Sequence, residues 1–249
     1  MFDVKNTTEN LVQWIRDWFE INGPDCNAVI GISGGKDSTI VAALCVKALG
    51  KDRVIGVMMP DGEQKDIQDS MEVCSLLGIR KHYINIGPVT EALKESIIGG
   101  LSEQAETNIP PRIRMATLYA VSQSNNGRVV GTCNASENYI GYMTRWGDGA
   151  SDLEPLGKLT VTEVLEIGDH LGLPHHLVHK TPDDGLPNSS PDEEKIGFSY
   201  SELDEYIRYG VQPEGMCTND PSVRKVDKID SMHNKNAFKL KPIKMFDEF

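Results

Sequence analysis

The sequence predicts an α/β protein: a three-layer, doubly wound parallel sheet with helices on both faces. Three observations predict it. An apolar run, Ala28-Val29-Ile30-Gly31-Ile32, leads into a glycine turn and then a helical pattern. The strand-then-helix alternation repeats as far as Ile86, which calls for parallel strands joined by helical crossovers. At 249 residues and 39% hydrophobic, the chain is long enough for one large core, so residues 1–249 are expected to form a single domain.

The elements follow in order. A first helix at about Glu9–Ile21 carries Leu11, Trp14, Ile15 and Trp18 at helical spacing, as core or interface packing requires. After the strand at Ala28 comes a helix over Thr39–Leu49, a strand at Arg53–Met59, a helix about Gln64–Leu77 and a strand at Lys81–Ile86. A helix about Pro111–Gln123 shows Ile113, Ala116, Leu118 and Ala120 among its apolar residues, and Arg128–Gly131 returns to the sheet. A loop-rich stretch ends at Thr160-Val161-Thr162-Glu163, a capping-box pattern that opens a helix ending near Gly172. Two further helices are read at Glu202–Tyr209 and from Pro221, behind Asp220, to Asn234. Asp192-Glu193-Glu194 reads as a solvated acidic helix start.

Composition excludes several classes of function. The formal net charge of −12 repels nucleic acid and anionic membrane surfaces, and no run of Lys or Arg offsets it, so neither is expected as a partner. No apolar run approaches the length of a membrane span, and the N-terminus is polar, without a signal-peptide pattern. Cys26, Cys45, Cys74, Cys133 and Cys217 are scattered and odd in number, which reads as reduced thiols in the cytoplasm.

The chemistry begins at Ser33-Gly34-Gly35-Lys36-Asp37-Ser38, where a strand, a glycine turn and a helix succeed one another. Two glycines let consecutive amide N–H groups converge, and the helix adds its positive dipole end, so the loop is an anion site suited to a polyphosphate. Ser33 and Ser38 bring hydroxyls, and Asp37 brings a hard oxygen ligand for Mg2+. The spacing is not that of a Walker loop, because Asp37 stands where Ser or Thr would follow the lysine. The segment resembles the loop of the PP-loop, or N-type, ATP pyrophosphatases. That resemblance implies the adenine nucleotide alpha hydrolase-like fold and cleavage of ATP between its α- and β-phosphates.

A second constellation follows the last strand: Gly131-Thr132-Cys133-Asn134-Ala135-Ser136-Glu137, then Gly141-Tyr142-Met143-Thr144-Arg145-Trp146-Gly147-Asp148-Gly149-Ala150-Ser151-Asp152. With the loop, these segments resemble the ammonia-dependent NAD synthetase family. The resemblance implies that Asp37 and Glu137 hold Mg2+ and that Thr132 and Gln64 contact ATP with the loop. It implies that Asn108, Arg112 and Arg114 match a segment whose arginine meets the dinucleotide, and that Tyr142, Arg145, Asp148 and Asp152 cradle the nicotinate half of deamido-NAD. Lys239, near the C-terminus, falls among the residues placed on that substrate.

Four positions depart from the family pattern. Met58 stands for an arginine, Val161 for a lysine, with Lys158 close by and able to reach the same phosphates, and Asp183 in Pro182-Asp183-Asp184-Gly185 for a Ser or Thr of a second phosphate loop. Phe238-Lys239-Leu240 replaces a His-Lys-Arg stretch.

The resemblance implies a C–N bond-forming ligase. The deamido-NAD carboxylate attacks the α-phosphate of ATP, pyrophosphate leaves, and ammonia displaces AMP with Asp148 as the group that binds ammonium and takes its proton. Glutamine use would call for an additional amidase domain, so ammonia is the expected donor, and a homodimer is implied with the Ile113–Gln123 helix and the first helix as candidate faces. Two alternatives stay open. One is another PP-loop ligase of the GMP-synthetase or tRNA-modifying type, which would call for an appended domain or a basic surface. The other is an ATP-binding regulatory module that has lost its chemistry.

Overall fold

The computed structural model describes residues 2–64, 67–180, 192–210 and 225–246. The chain runs α1 (Val4–Asn22), β1 (Asn27–Gly31), α2 (Lys36–Leu49), β2 (Val54–Met58), α3 (Ile67–Leu76), β3 (Arg80–Tyr83), α4 (Gly87–Ser96), α5 (Glu103–Ser124), β4 (Gly127–Val129), α6 (Ala135–Ile140), α7 (Val161–His170), α8 (His175–Val178), α9 (Asp192–Ile196), α10 (Tyr200–Tyr209) and α11 (Lys225–Asn236).

The four strands form one parallel sheet in the order β3-β2-β1-β4. Val29 stands opposite Ile55 on one side and Val129 on the other, which fixes the register of the three inner positions. Alternation along the strands sorts the core into two layers. Ala28, Ile30 and Ile32 of the β1 segment meet Val12, Ile15 and Phe19 of α1, Leu44 of α2 and Ile167 of α7. Val29, Ile55, Val57 and Met59 point the other way, onto Met115 and Leu118 of α5. A third, smaller cluster joins Ile140, Val161, Ile196, Tyr200, Leu203 and Ile229, so α10 and α11 pack onto the end of α6.

Strand order decides where a ligand can bind. Beyond β1 the chain winds outward to β2 and β3, then crosses back to β4 on the other side of β1. The switch point therefore falls between the C-terminal ends of β1 and β4, where adjoining loops leave in opposite directions and open a crevice.

Several boundaries differ from those the sequence suggests. The helix read from Pro111 begins at Glu103 and holds Pro110 and Pro111 in its interior, started by the Ser102 side chain, which accepts from the Ala105 amide. The strand read to Ile86 ends at Tyr83, although Ile84 and Ile86 still donate to the carbonyls of Met58 and Pro60 before the chain turns into α4. The helix α4 itself was not legible, because Gly87 and Pro88 read as a turn. Asp192 is not solvated: it is 8% exposed, and its side chain accepts from the Tyr142 hydroxyl at 3.0 Å. The stretches carrying Pro221 and Cys217 lie outside the described residues.

Candidate active site

The phosphate loop leaves β1 with Gly34 at φ +82°, a left-handed conformation that glycine takes without strain. The turn is held by its own side chains. Gly35 N–H donates to Ser33 Oγ at 3.1 Å, and Ser38 Oγ lies 3.1 Å from Ser33 Oγ while donating to the Gly35 carbonyl. Lys36 opens α2 nearly buried, at 5% exposure, and its Nζ donates to Asp37 Oδ2 at 2.8 Å.

After β4, Asn134 caps α6 in a reciprocal box with Glu137: its side chain accepts from the Glu137 amide, and the Glu137 carboxylate accepts from the Asn134 amide. The same Asn134 side chain donates to Asp37 Oδ1 at 3.1 Å. One residue thus sets the spacing of the two carboxylates expected to take a metal. Burial and the nearby Asp37 charge push the Glu137 carboxyl up to about 8, although Lys36 and the Asn134 amide oppose the shift. Burial alone would depress the Lys36 ammonium, but Asp37, Glu137 and Asp192 outweigh it and raise its pKa.

A cavity of about 560 Å³ opens at the switch point between β1 and β4. Ser33, Gly35, Lys36, Asp37, Gln64, Thr132, Glu137, Tyr142, Asp148 and Lys239 all line it, as do Asn108 and Arg114. Gly34 and Ser38 shape the loop beneath. Asp148 faces the cavity with its Oδ1 accepting from the Thr144 amide at 3.0 Å; the protein around it desolvates the carboxyl and raises its pKa, against the pull of Thr144 and Lys239. Lys239 Nζ donates to the carbonyls of Gly141 and Met143 at 2.7 and 3.0 Å, which clasps the loop that carries Asp148.

Four expected contacts lie outside the lining, each for a local reason. Arg112 sits two positions from Arg114 in α5, and residues so spaced do not share a helix face, so Arg114 turns inward while Arg112 stays exposed beside the Arg145 carbonyl. Arg145 is stacked between Trp146 and Phe238, at 4.9 and 5.4 Å from their ring centres, and donates to the Lys241 carbonyl at 3.2 Å. Trp146 itself holds φ +66°, an uncommon conformation for a bulky residue. Asp152 is tied to β4, accepting from the Val129 amide at 2.7 Å and from Tyr119 Oη at 3.2 Å. Lys158 is exposed and outside the cavity lining, its carbonyl accepting from Arg208, while Val161 is buried with its amide on Ser136 Oγ. Asp183 lies outside the described residues.

The structure adds residues that sequence reasoning missed. Asn134, which holds Asp37 from outside the cavity lining, was within reach, since Asn three positions before Glu is a capping-box spacing. Asp192 and Lys180, the latter donating to Asp69 Oδ2 at 2.6 Å, arrive from distant segments with no local signal.

The NAD synthase family model matches residues 7–243. The chain belongs to the NAD synthase family. Within it, the chain is 45% identical over 179 residues to the NH(3)-dependent NAD(+) synthetase of Pyrococcus furiosus, covering 72% of this chain and 70% of that one. Among solved structures, the NMN synthetase of Francisella tularensis superposes with a TM-score of 0.89 at 33% identity over the full length of both chains. The NH3-dependent NAD synthetase of Campylobacter jejuni superposes at 0.80 with 28% identity, covering 99% of this chain and 100% of that one. The shared fold is the PP-loop α/β fold of the NAD synthase family, as the parallel sheet with helices on both faces requires.

Proposed function

We propose that this chain is an ammonia-dependent ligase that amidates deamido-NAD to NAD at the expense of ATP, releasing AMP and pyrophosphate, the last step of NAD synthesis. The observation that carries the reading is the convergence, in one cavity at the switch point, of the phosphate loop from β1 and the Asp148 loop beyond β4. The relatives named for this reaction support it.

In this reading the acceptor carboxylate attacks the α-phosphorus, the bond to the bridging oxygen breaks, and pyrophosphate departs into the loop amides and Lys36. Ammonia then attacks the carbonyl carbon of the acyl-adenylate, sheds a proton and expels AMP. Asp148, with its raised pKa, binds ammonium and accepts that proton directly or through water. Tyr142 offers a ring for stacking on the pyridine, and Arg114 and Lys239 offer cations for phosphate or carboxylate.

Mg2+ fits the donor set. Asp37 and Glu137 are hard carboxylates whose mutual repulsion a divalent cation relieves, and Mg2+ is ordinarily held by one or two carboxylates with substrate phosphates completing its shell. When bound there, it neutralises charge on the phosphates.

A second reading of the acceptor has its own support. The Francisella tularensis match is a named NMN synthetase. Arg145, assigned by resemblance to the dinucleotide, is held in the Trp146–Phe238 stack and leaves one cation fewer for a second nucleotide. A deamido mononucleotide is then the acceptor. Both readings are tested by supplying ATP, Mg2+ and ammonium or glutamine with either acceptor and following the amide product. Product with ammonium and the dinucleotide supports the first reading, and preference for the mononucleotide supports the second. No amide from any combination overturns both.

The homodimer belongs to the same proposal. Val89, Leu93, Ile97 and Ile98 lie exposed on and just beyond α4, which offers a second copy an apolar face. Light scattering on the purified chain tests it. Buried thiols at Cys26, Cys45, Cys74 and Cys133 support a cytoplasmic setting. None of the described helices is long and apolar enough to cross a membrane.

A further inference from the structure

Tyr200 opens α10 at the edge of the third core cluster and is 3% exposed. Its hydroxyl is buried and has no hydrogen-bond partner among the described residues. A buried phenol without a partner is costly, and Tyr hydroxyls in protein interiors ordinarily find one. The ring is fixed from several sides: the Tyr200 amide donates to Glu193 Oε1 at 2.7 Å, Ser199 caps the helix, and the ring face looks onto Lys36 Nζ at 5.8 Å. Around the hydroxyl stand the carboxylates of Glu137, Asp192 and Asp37 and the Tyr142 phenol; together with burial they raise its pKa, so it remains a neutral donor. Except for Tyr200 itself, these groups line the cavity floor.

The donors around Asp37 explain what the hydroxyl is for. In this arrangement Asp37 accepts from Lys36 Nζ and from Asn134 Nδ2. For Lys36 to reach a phosphate oxygen, its pair with Asp37 must open, and Asp37 then loses a donor just as charge gathers beside it. A buried hydroxyl without a partner, on a ring that lies over Lys36 and within the field of the same carboxylates, is the group available to restore that hydrogen bond.

We propose that Tyr200 is a positioning residue of the phosphate site: its hydroxyl donates to the Asp37–Glu137 pair when nucleotide and divalent cation are bound, while its ring seats the Lys36 ammonium. The inference rests on the nucleotide reading above and extends it to a residue that touches neither substrate. It also accounts for a polar atom left without a partner among the described residues, since the cost of the orphan hydroxyl is recovered on loading.

The test is Tyr200→Phe, which keeps the ring and its packing and removes one oxygen. Thermal melts are recorded without ligand, and with Mg2+ and α,β-methylene ATP, whose bridge cannot be cleaved. The expected result is a melting temperature without ligand equal to or above that of the parent, a smaller nucleotide-induced shift, and an Mg2+ midpoint raised about tenfold or more, the size of one charge-assisted hydrogen bond. The KM for the amide acceptor stays unchanged. A midpoint within about twofold of the parent overturns the proposal, as does a fall in ligand-free melting temperature with no change in Mg2+ dependence, which is the mark of simple packing. Tyr200→Leu, which removes the ring as well, weakens nucleotide binding further if the ring seats Lys36. A parent chain that shows no shift with Mg2+ and the analogue overturns the nucleotide reading and this proposal together; a normal parent shift with an identical Tyr200→Phe shift overturns this proposal alone.

Discussion

Asn134 donates to Asp37 Oδ1 at 3.1 Å across 97 positions of sequence, so the residue that starts α6 also aims the carboxylate of the phosphate loop. Asn134→Ala removes both functions. The lost helix cap costs about 1 kcal/mol and lowers the melting temperature. The released Asp37 holds Mg2+ less tightly when ATP binds, read as a raised Mg2+ midpoint. Asn134→Asp keeps a capping oxygen but sets a third carboxylate against Asp37, so it recovers stability at low pH better than at pH 8. An alanine variant indistinguishable from the parent in both measurements breaks the link between cap and site.

The raised pKa of Glu137 gives the free protein a pH-dependent stability. A carboxyl that holds its proton more tightly in the fold than in the unfolded chain favours folding at low pH, and that contribution is lost as pH climbs from the ordinary carboxylate range through about 8. Asp148, shifted in the same direction, adds to the trend. In EDTA, therefore, the melting temperature falls between pH 5 and pH 8.5, and Glu137→Gln flattens the fall. Mg2+ reverses the order by stabilising most where the carboxyl is ionised. A Glu137→Gln curve parallel to that of the parent contradicts the shift.

Asp148→Asn separates the two half-reactions. The amide retains the Thr144 hydrogen bond at Oδ1 but neither carries charge nor accepts the ammonium proton. Single-turnover measurements are expected to show acyl-adenylate formation within about threefold of the parent and amide formation slowed by about 10²-fold or more, within the range for loss of a general base. Equal loss in both steps removes Asp148 from the ammonia step.

Gly141 ends α6 at φ +66°, and a Cβ there would lie 2.2 Å from Asn236 Cβ. Gly141→Ala meets both a backbone penalty of about 1–2 kcal/mol and an overpacking penalty of about 1–3 kcal/mol. The variant loses thermal stability by several degrees, and protection from hydrogen exchange drops first in α11. Unchanged α11 protection in a destabilised variant contradicts the coupling between the α6 terminus and the C-terminal helix.

Much of this organisation can be read in the sequence, and its limits follow from the physics of each signal. The two central strands were legible because β1 and β2 are almost wholly buried and so carry apolar runs. The loop was legible because Gly34, Gly35 and Asp37 are adjacent in sequence and need only one turn to converge. Arg112 and Arg114 look equivalent until α5 is known to run through Pro110 and Pro111, which sends them to different faces. Lys158 stands close to Val161 in sequence, but the structure leaves it exposed and outside the cavity lining. Asp192 and Tyr200 follow segments with no periodic pattern, and an acidic triplet reads as solvent-facing unless the Tyr142 hydroxyl that meets it is known.

Lys239 grips the carbonyls of Gly141 and Met143 from nearly a hundred positions downstream. During synthesis on the ribosome, the sheet, the phosphate loop and the Asp148 loop all emerge long before that ammonium does. A nascent chain can therefore assemble its nucleotide cradle early, but the acceptor side is fastened only once Lys239 has followed it out.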